Sequence, residues 1–254
     1  MSPLELLLLL AAGLVAGFMN TVAGGGSLLT LPALIFSGIP ATEANATNRL
    51  GLLAQSLVST GKLYHVSEPQ TRRVLWLVLP LALLGGILGT WTATWISSEH
   101  FEKVLAFCLV LMLVLILRKP TPSPSPSAAS EESTAPANPA LLVASFLGLG
   151  FYSGFIQAGM GVVTLMVLRA LTSLSLVQAN ALKVILILIL TVQTLALFWW
   201  QGVMIHLAAG GIMAVAQMVG AWAGSKVAVG ETGEKVIRWS LVAMTLTSAV
   251  VLLV

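Results

Sequence analysis

Long apolar runs separated by short polar or glycine-rich joints dominate the chain. A helix that crosses a bilayer needs about 20 mostly apolar residues. Runs of that kind predict segments at 4–22, 28–38, 43–60, 74–96 and 104–117, and after a break at 140–157, 161–172, 178–200, 206–228 and 236–254. The segments 28–38 and 161–172 are too short to cross alone as straight helices, and glycine joins each to the run before it. The pattern predicts an all-α integral membrane protein. Each half has about five helical segments, with short broken or re-entrant helices at the Gly-rich turns.

The break reads Arg118-Lys119-Pro120 and continues as a Pro/Ser/Ala-rich stretch containing Glu131 and Glu132. Six of the eleven prolines fall in 118–139. Such a composition cannot offset its ordering entropy by burial, so it predicts a flexible linker. The chain divides into an N-terminal transmembrane repeat, 1–117, the linker, 118–139, and a C-terminal transmembrane repeat, 140–254.

The two halves resemble each other at a constant offset of 135 residues. Ala23-Gly24-Gly25-Gly26 falls on Ala158-Gly159-Met160-Gly161. Glu43-Ala44-Asn45-Ala46-Thr47-Asn48 falls on Gln178-Ala179-Asn180-Ala181-Leu182-Lys183. Shared apolar composition would not supply the polar match Asn45/Asn180. Internal duplication of this sort marks membrane transporters.

Composition agrees with a lipid surround. The chain is 57% hydrophobic and 8% charged, against about 25% charged in soluble domains. It contains no Asp. So few charges cannot cover a water-facing surface of this size, whereas lipid asks for apolar side chains outside. The net charge is +3 and the twelve Lys and Arg are scattered, which argues against nucleic acid as a partner. The single cysteine, Cys108, forms no internal disulfide. Glu5 and the absence of Lys or Arg before the first run predict a retained span rather than a signal peptide.

Lys and Arg set the orientation, because cytoplasmic loops carry their excess. Lys62, Arg72 and Arg73, then Arg118 and Lys119, then Lys226, Lys235 and Arg238 belong inside, and the loop around Glu99–Lys103 belongs outside. Inverted repeats with both termini outside satisfy this if 161–172 counts as a crossing. The alternative is eight spans in a parallel four-plus-four arrangement. Trp95, Trp199 and Trp200 then fall at outer ends, and Trp76 and Trp239 at inner ends.

The glycine runs are the first candidates for chemistry. Gly24-Gly25-Gly26 and Gly159-Met160-Gly161 each follow an apolar helix and precede a short apolar segment. Glycine there permits a sharp turn and close approach of a ligand. A helix starting just beyond would aim N–H groups and its positive dipole end at the turn, which suits an anion. Close helix packing through small residues is the competing reading. The second constellation is polar. Asn45, Thr47, Asn48 and Arg49 open the third segment, and Gln178, Asn180 and Lys183 open its counterpart. Lys183 and Arg49 either line a site or snorkel to the interface.

Charge sign selects the substrate. Proton- and cation-driven machinery plants Asp or Glu in the membrane, but here the only carboxylate near the candidate site is Glu43, at a helix start where the dipole stabilises it. Asn20 and Gln157 precede the glycine runs and can line the same cavity. Gln193, Gln217 and Thr191 suit hydrogen bonds between helices. His65, His100 and His206 are far apart and form no metal motif, so neither metal nor cofactor is called for.

The blocks Gly17-Phe18-Met19-Asn20-Thr21-Val22-Ala23-Gly24-Gly25-Gly26, Leu31-Pro32-Ala33-Leu34, Gly38-Ile39-Pro40 and Ala46-Thr47-Asn48 resemble the TauE/SafE family of membrane permeases. The second half, Gly150-Phe151-Tyr152-Ser153-Gly154 through Gly159-Met160-Gly161 to Lys183, is similar to that family's second repeat, with Met160 where the family often has glycine. The resemblance implies a multi-pass carrier of sulfur-containing anions in a bacterial cytoplasmic membrane.

The expectation is a secondary transporter of a small anion working by alternating access, with a passive anion channel as the alternative. No Asp pair, zinc motif or nucleophile–base pair supports an intramembrane enzyme. The expected site lies between the glycine turns: Gly24, Gly25, Gly26, Gly159 and Gly161, with Asn48 and Lys183 as principal side chains. Asn45, Thr47 and Asn180 support them, and Asn20, Arg49 and Gln157 stand further out.

Overall fold

The computed structural model describes residues 2–22, 24–63, 69–117 and 139–228. Among these, every element is an α-helix: α1 Pro3–Val22, α2 Ser27–Phe36, α3 Ala41–Leu63, α4 Pro69–Trp95, α5 Ser98–Leu117, α6 Pro139–Phe155, α7 Met160–Leu171, α8 Leu176–Trp200 and α9 Leu207–Ala228. The expected last segment, 236–254, the linker up to residue 138, and Ala23, His65, Lys235, Arg238 and Trp239 lie outside the described residues.

Among the described residues, four helices are long and apolar enough to cross a membrane: Pro3–Val22, Pro69–Trp95, Leu176–Trp200 and Leu207–Val227. Polarity is distributed accordingly. Leu4, Leu7, Trp76, Leu84, Trp95 and Phe107 are exposed, while Asn45, Asn48, Arg49, Gln55, Lys183 and Gln217 are buried. A water-soluble fold shows the reverse, and lipid solvates the apolar outer surface. The protein is therefore membrane-embedded. Helix α3 is the polar exception, its Asn45, Asn48, Arg49, Gln55, Ser56 and Ser59 all turned inward.

Glycine lets the helices touch backbone to backbone, as small residues do where lipid gives no hydrophobic drive. A Cβ on Gly17 of α1 would lie 2.1 Å from Gln217 O of α9, and one on Gly220 would lie 2.0 Å from Leu14 O. Gly89 of α4 stands equally close to Phe151 O of α6, and Gly150 to Ala82 O.

These pairs also fix helix direction. Residue numbers rise together from Gly13–Ala216 to Phe18–Gly224, so α1 and α9 run the same way. Thr47–His206, Leu50–Gly210 and Gly51–Gln217 align α3 with α9. Ala82–Gly150 and Gly86–Gly154 align α4 with α6, and Leu83–Gln193 and Thr94–Gln201 align α4 with α8. Between α3 and α8 the numbers run oppositely: Arg49 lies over Phe198, and Leu63 clusters with Ala181 and Val184. One set, α1, α3 and α9, is thus antiparallel to the other, α4, α6 and α8.

Because α1 and α3 run the same way, the chain must return between them. The end of α1 lies beside Gln55 and Ser59 of α3, and α2 carries the chain back to the start of α3 at Ala41. The end of α6 meets Thr191 through Gln157, and α7 returns to the start of α8. There a capping box holds the first turn: Ser175 Oγ accepts from Gln178 N, and Gln178 Oε1 accepts from Ser175 N. That is the observed role of Gln178.

Candidate functional site

The two bends meet. Gly24 has φ +102°, and a Cβ there would lie 2.5 Å from Gly161 Cα. A Cβ on Gly161 would lie 2.5 Å from Gly24 Cα. Gly159, which matches Gly24 at the 135-residue offset, is also left-handed, with φ +69°. An L side chain would strain either backbone and force the bends apart. Glycine N-caps both return helices, Gly26 for α2 and Gly159 for α7, with no side-chain cap.

Two polar groups flank this contact. In the first, Lys183 Nζ donates to Asn20 O at 3.0 Å, and Asn180 Nδ2 donates to Thr21 O at 3.2 Å. Asn20 Oδ1 accepts from Gly26 N at 2.6 Å while its Nδ2 donates to Gln55 Oε1 at 3.2 Å. Thr21 and Ser59 share a hydroxyl bond of 2.6 Å. The stem of Lys183 passes Gly161, its Cδ 3.5 Å from where a Cβ would stand.

The second group is built the same way from the other half. Arg49 donates to Ser153 O at 2.8 Å and Gly154 O at 3.3 Å, to Asn45 Oδ1 at 3.4 Å and to Gln157 Oε1. Asn45 Nδ2 donates to Phe155 O at 2.8 Å, and Gln157 Nε2 to Thr191 Oγ1 at 3.1 Å. The guanidinium also lies 5.6 Å from the Phe198 ring centroid. Gln157 has φ +62°, the only left-handed non-glycine residue among those described. Such a backbone costs about 1–2 kcal/mol and persists only where surrounding contacts impose it.

The common physics is helix termination. The last carbonyls of a helix lack intrahelical partners, and the C-terminal dipole end attracts positive charge. Here α1 and α6 each end inside the protein, and a cation–amide pair from the opposite half covers their carbonyls: Lys183 with Asn180, and Arg49 with Asn45. Lys183 and Arg49 are both 0% exposed, covered by protein rather than snorkelling. Among the described residues neither has a carboxylate within 4 Å; the ion pairs there are Lys103–Glu99 and His206–Glu43.

The other expected residues are placed differently. Thr47 Oγ1 accepts from His206 N at 3.0 Å and pins the start of α9 to α3. Glu43 binds His206 Nε2 at 2.7 Å, a pairing that the sequence reading did not foresee. Asn48 is buried and neither atom of its amide has a protein partner. It matches Lys183 at the 135-residue offset. Gln193 does bond between helices, to Leu83 O at 2.9 Å, and Thr191 accepts from Gln157, but both amide atoms of Gln217 lack partners. Gln55 and Ser59 are site neighbours that went unremarked. Their signal was present, since Asn48, Gln55 and Ser59 recur at helical spacing on one face of α3.

Buried cations, glycine bends in contact and an apolar outer surface place this polar interior inside a membrane protein, and comparison with known proteins gives its class, a membrane transporter. The chain belongs to the sulfite exporter TauE/SafE family, whose family model matches residues 9–252. The chain is similar to a "Probable membrane transporter protein" of Haemophilus influenzae, 29% identical over 241 residues that cover 94% of this chain and 91% of that one. "Probable membrane transporter protein ORF9" of Sinorhizobium sp is 27% identical over 252 residues, 96% of this chain and 91% of its own. "Probable membrane transporter protein YfcA" of Escherichia coli strain K12 is 28% identical over 244 residues, 93% and 85% respectively. No solved structure gives a significant match.

Proposed function

We propose that this chain is a secondary transporter of a small anion, a sulfur-containing oxyanion or sulfonate, working by alternating access in a bacterial cytoplasmic membrane. The observation that carries the reading is Lys183, fully buried, without a carboxylate partner among the described residues and beside the contact of the two bends. A cation in lipid costs about 2.5–3.5 kcal/mol at the helix centre even on the mildest scale, so such residues mark ion and substrate paths. The ammonium has three donors and Asn20 O takes one.

The substrate oxyanion would lie beside the contact of the bends, held by Lys183, Asn48 and the backbone at Gly24, Gly25, Gly26, Gly159 and Gly161. Asn45, Asn180 and Thr47 support the site by holding the helices that carry it. Asn20, Arg49 and Gln157 form the outer ring. The family name, sulfite exporter, favours a sulfur oxyanion.

The transport cycle follows from inverted repeats, 1–117 and 140–254, joined by a cytoplasmic linker, 118–139. Three findings support that architecture. Helix bounds in the second half follow those in the first at the same offset, as α3 Ala41–Leu63 and α8 Leu176–Trp200 illustrate. The matched helices α3 and α8 run oppositely. The contact of α1 with α9 has its counterpart in that of α6 with α4. Rocking one half against the other must loosen Lys183 from Asn20 O and Arg49 from Ser153 O, since both bonds cross between halves. An anion that draws Lys183 away from Asn20 O couples binding to that motion.

The test is sulfite flux in proteoliposomes. Saturable uptake, accelerated by sulfite on the opposite side, is the expected result. Unsaturated conductance without counterflow would make the protein a channel, and absence of flux for sulfite, thiosulfate and sulfonates alike would contradict the proposal.

A further inference from the structure

One polar feature stands outside the bonded groups. Gln217 of α9 is 0% exposed, and neither Nε2 nor Oε1 has a protein partner. Its Nε2 lies 2.1 Å from where a Cβ on Gly51 of α3 would stand, so Gly51 supplies the room for the amide. Asn48 is 1% exposed, and its Nδ2 and Oδ1 are likewise unpartnered. Asn48, Gly51 and Gln55 are spaced three and four residues apart, which places them on one face of α3. The Gln217 amide therefore sits at the Gly51 level, between Asn48 and Gln55. Two whole amides, with donors and acceptors both buried and unmet, violate the rule that buried polar groups are hydrogen-bonded.

The corresponding contact of α4 with α8 differs: there Gln193 lies against Gly86, with Oε1 unpartnered but Nε2 donating to Leu83 O. At the 135-residue offset Gln217 matches Ala82 and Gly51 matches Leu186, both buried in apolar clusters. Among the described residues, wholly unmet amides thus occur only on the α3–α9 side, and a ligand that uses them is held in one orientation.

We propose that Gln217, one step along the α3 face from the Asn48 that helps hold the oxyanion, forms a second, uncharged subsite that takes a hydroxyl or amide group at the far end of the substrate. The inference rests on the anion site proposed above. Gly51 stands four residues, about 6 Å along the helix axis, from Gln55, whose partner Asn20 gives its carbonyl to Lys183. A ligand whose oxyanion is held by Lys183 and Asn48 reaches the Gln217 amide only if it extends beyond a single oxyanion. Each amide offers donors and an acceptor. A bare oxyanion satisfies the donors alone, whereas a hydroxyl or an amide satisfies both. The substrate class is a short organic sulfonate or similar anion with such a group on its chain.

Equilibrium binding to the full-length protein in detergent tests this with ethanesulfonate and hydroxyethanesulfonate, which differ by one hydroxyl. A site that hydrogen-bonds a hydroxyl discriminates against the analogue lacking it, so the wild-type chain should prefer hydroxyethanesulfonate by roughly tenfold or more. Gln217→Leu should reduce that preference to about twofold or less and leave ethanesulfonate binding unchanged. Its amide has no protein bond to lose, and Gln217→Met gives a second variant with the same expectation. Equal binding of the two probes by the wild-type chain, as when internal water alone meets the amides, overturns the subsite. So does a preference that survives both substitutions. Lys183→Met probes the anion site separately: it should weaken both probes alike, and unchanged affinity there would sink the anion site, whatever Gln217 does.

Discussion

Lys183 Nζ reaches across from α8 to the main-chain oxygen of Asn20 in the last turn of α1, 3.0 Å away. Arg49 reaches from α3 to Ser153 O and Gly154 O in α6, at 2.8 and 3.3 Å. Both cations cover the carbonyl end of a helix from the opposite half. Their loads differ, because Arg49 is committed to two carbonyls and two side-chain amides, whereas Lys183 shows one bond.

That difference predicts a division of effects. Arg49→Met strands several buried acceptors and should destabilise the protein by about 2–4 kcal/mol, since hydrogen bonds to charged groups are worth about 1.5–3 kcal/mol each. Lys183→Met strands one and should cost less stability while lowering anion flux at least about tenfold, the equivalent of 1.4 kcal/mol. Thermal unfolding in detergent, beside flux in vesicles, separates the two. A Lys183→Met chain that loses stability as Arg49→Met does and keeps its flux would contradict the assignment.

The bend contact predicts a contrast between two glycines with positive φ. Gly24→Ala would combine φ +102° with a Cβ 2.5 Å from the Gly161 backbone. It should cost about 2–4 kcal/mol from strain and overpacking. Gly38→Ala has φ +81° and nothing within 4 Å of the new methyl, so strain alone, about 1–2 kcal/mol, remains. Equal melting temperatures for the two variants would show that the bends do not meet.

Topology offers a third prediction. Gln70 of α4 bonds Ser173 at 2.9 Å, and Thr94 at the other end of α4 bonds Gln201. The ends of α4 and α8 therefore share faces of the membrane. In a Cys108→Ser background, Glu102→Cys and Met204→Cys should react with an impermeant maleimide in intact cells, and Arg73→Cys and Ser173→Cys should not. All four native residues are exposed. Labelling of Arg73→Cys with protection of Glu102→Cys would reverse the orientation, and opposite behaviour of Glu102→Cys and Met204→Cys would contradict the helix directions.

Much of the architecture was legible because lipid imposes a long, simple code. The run 178–200 became α8 Leu176–Trp200, and 206–228 became α9 Leu207–Ala228, since span length and glycine joints are local properties. The start of α5 at Ser98 rather than 104 was less legible, because Glu99, Glu102 and Lys103 hide a helical turn that an Glu99–Lys103 pair holds at 2.7 Å. The pairing of Asn45 and Asn180 was readable from the offset, but their use was not. Each amide donates to a carbonyl of the opposite half, Phe155 O and Thr21 O, a contact more than a hundred residues distant. The same limit applies to Arg49. Sequence showed a cation near a helix end, and only the fold shows which helix end it covers.

The account stands on Lys183 acting as the cation that holds the substrate. Calorimetric titration of the purified protein with sulfite, thiosulfate and ethanesulfonate tests this most directly, with Lys183→Met beside Lys103→Met, an exposed lysine paired with Glu99. The wild-type and Lys103→Met chains should bind at least one of these anions with equal affinity, and Lys183→Met should bind it at least about tenfold more weakly, a loss of 1.4 kcal/mol. Equal affinity in all three chains would contradict the account.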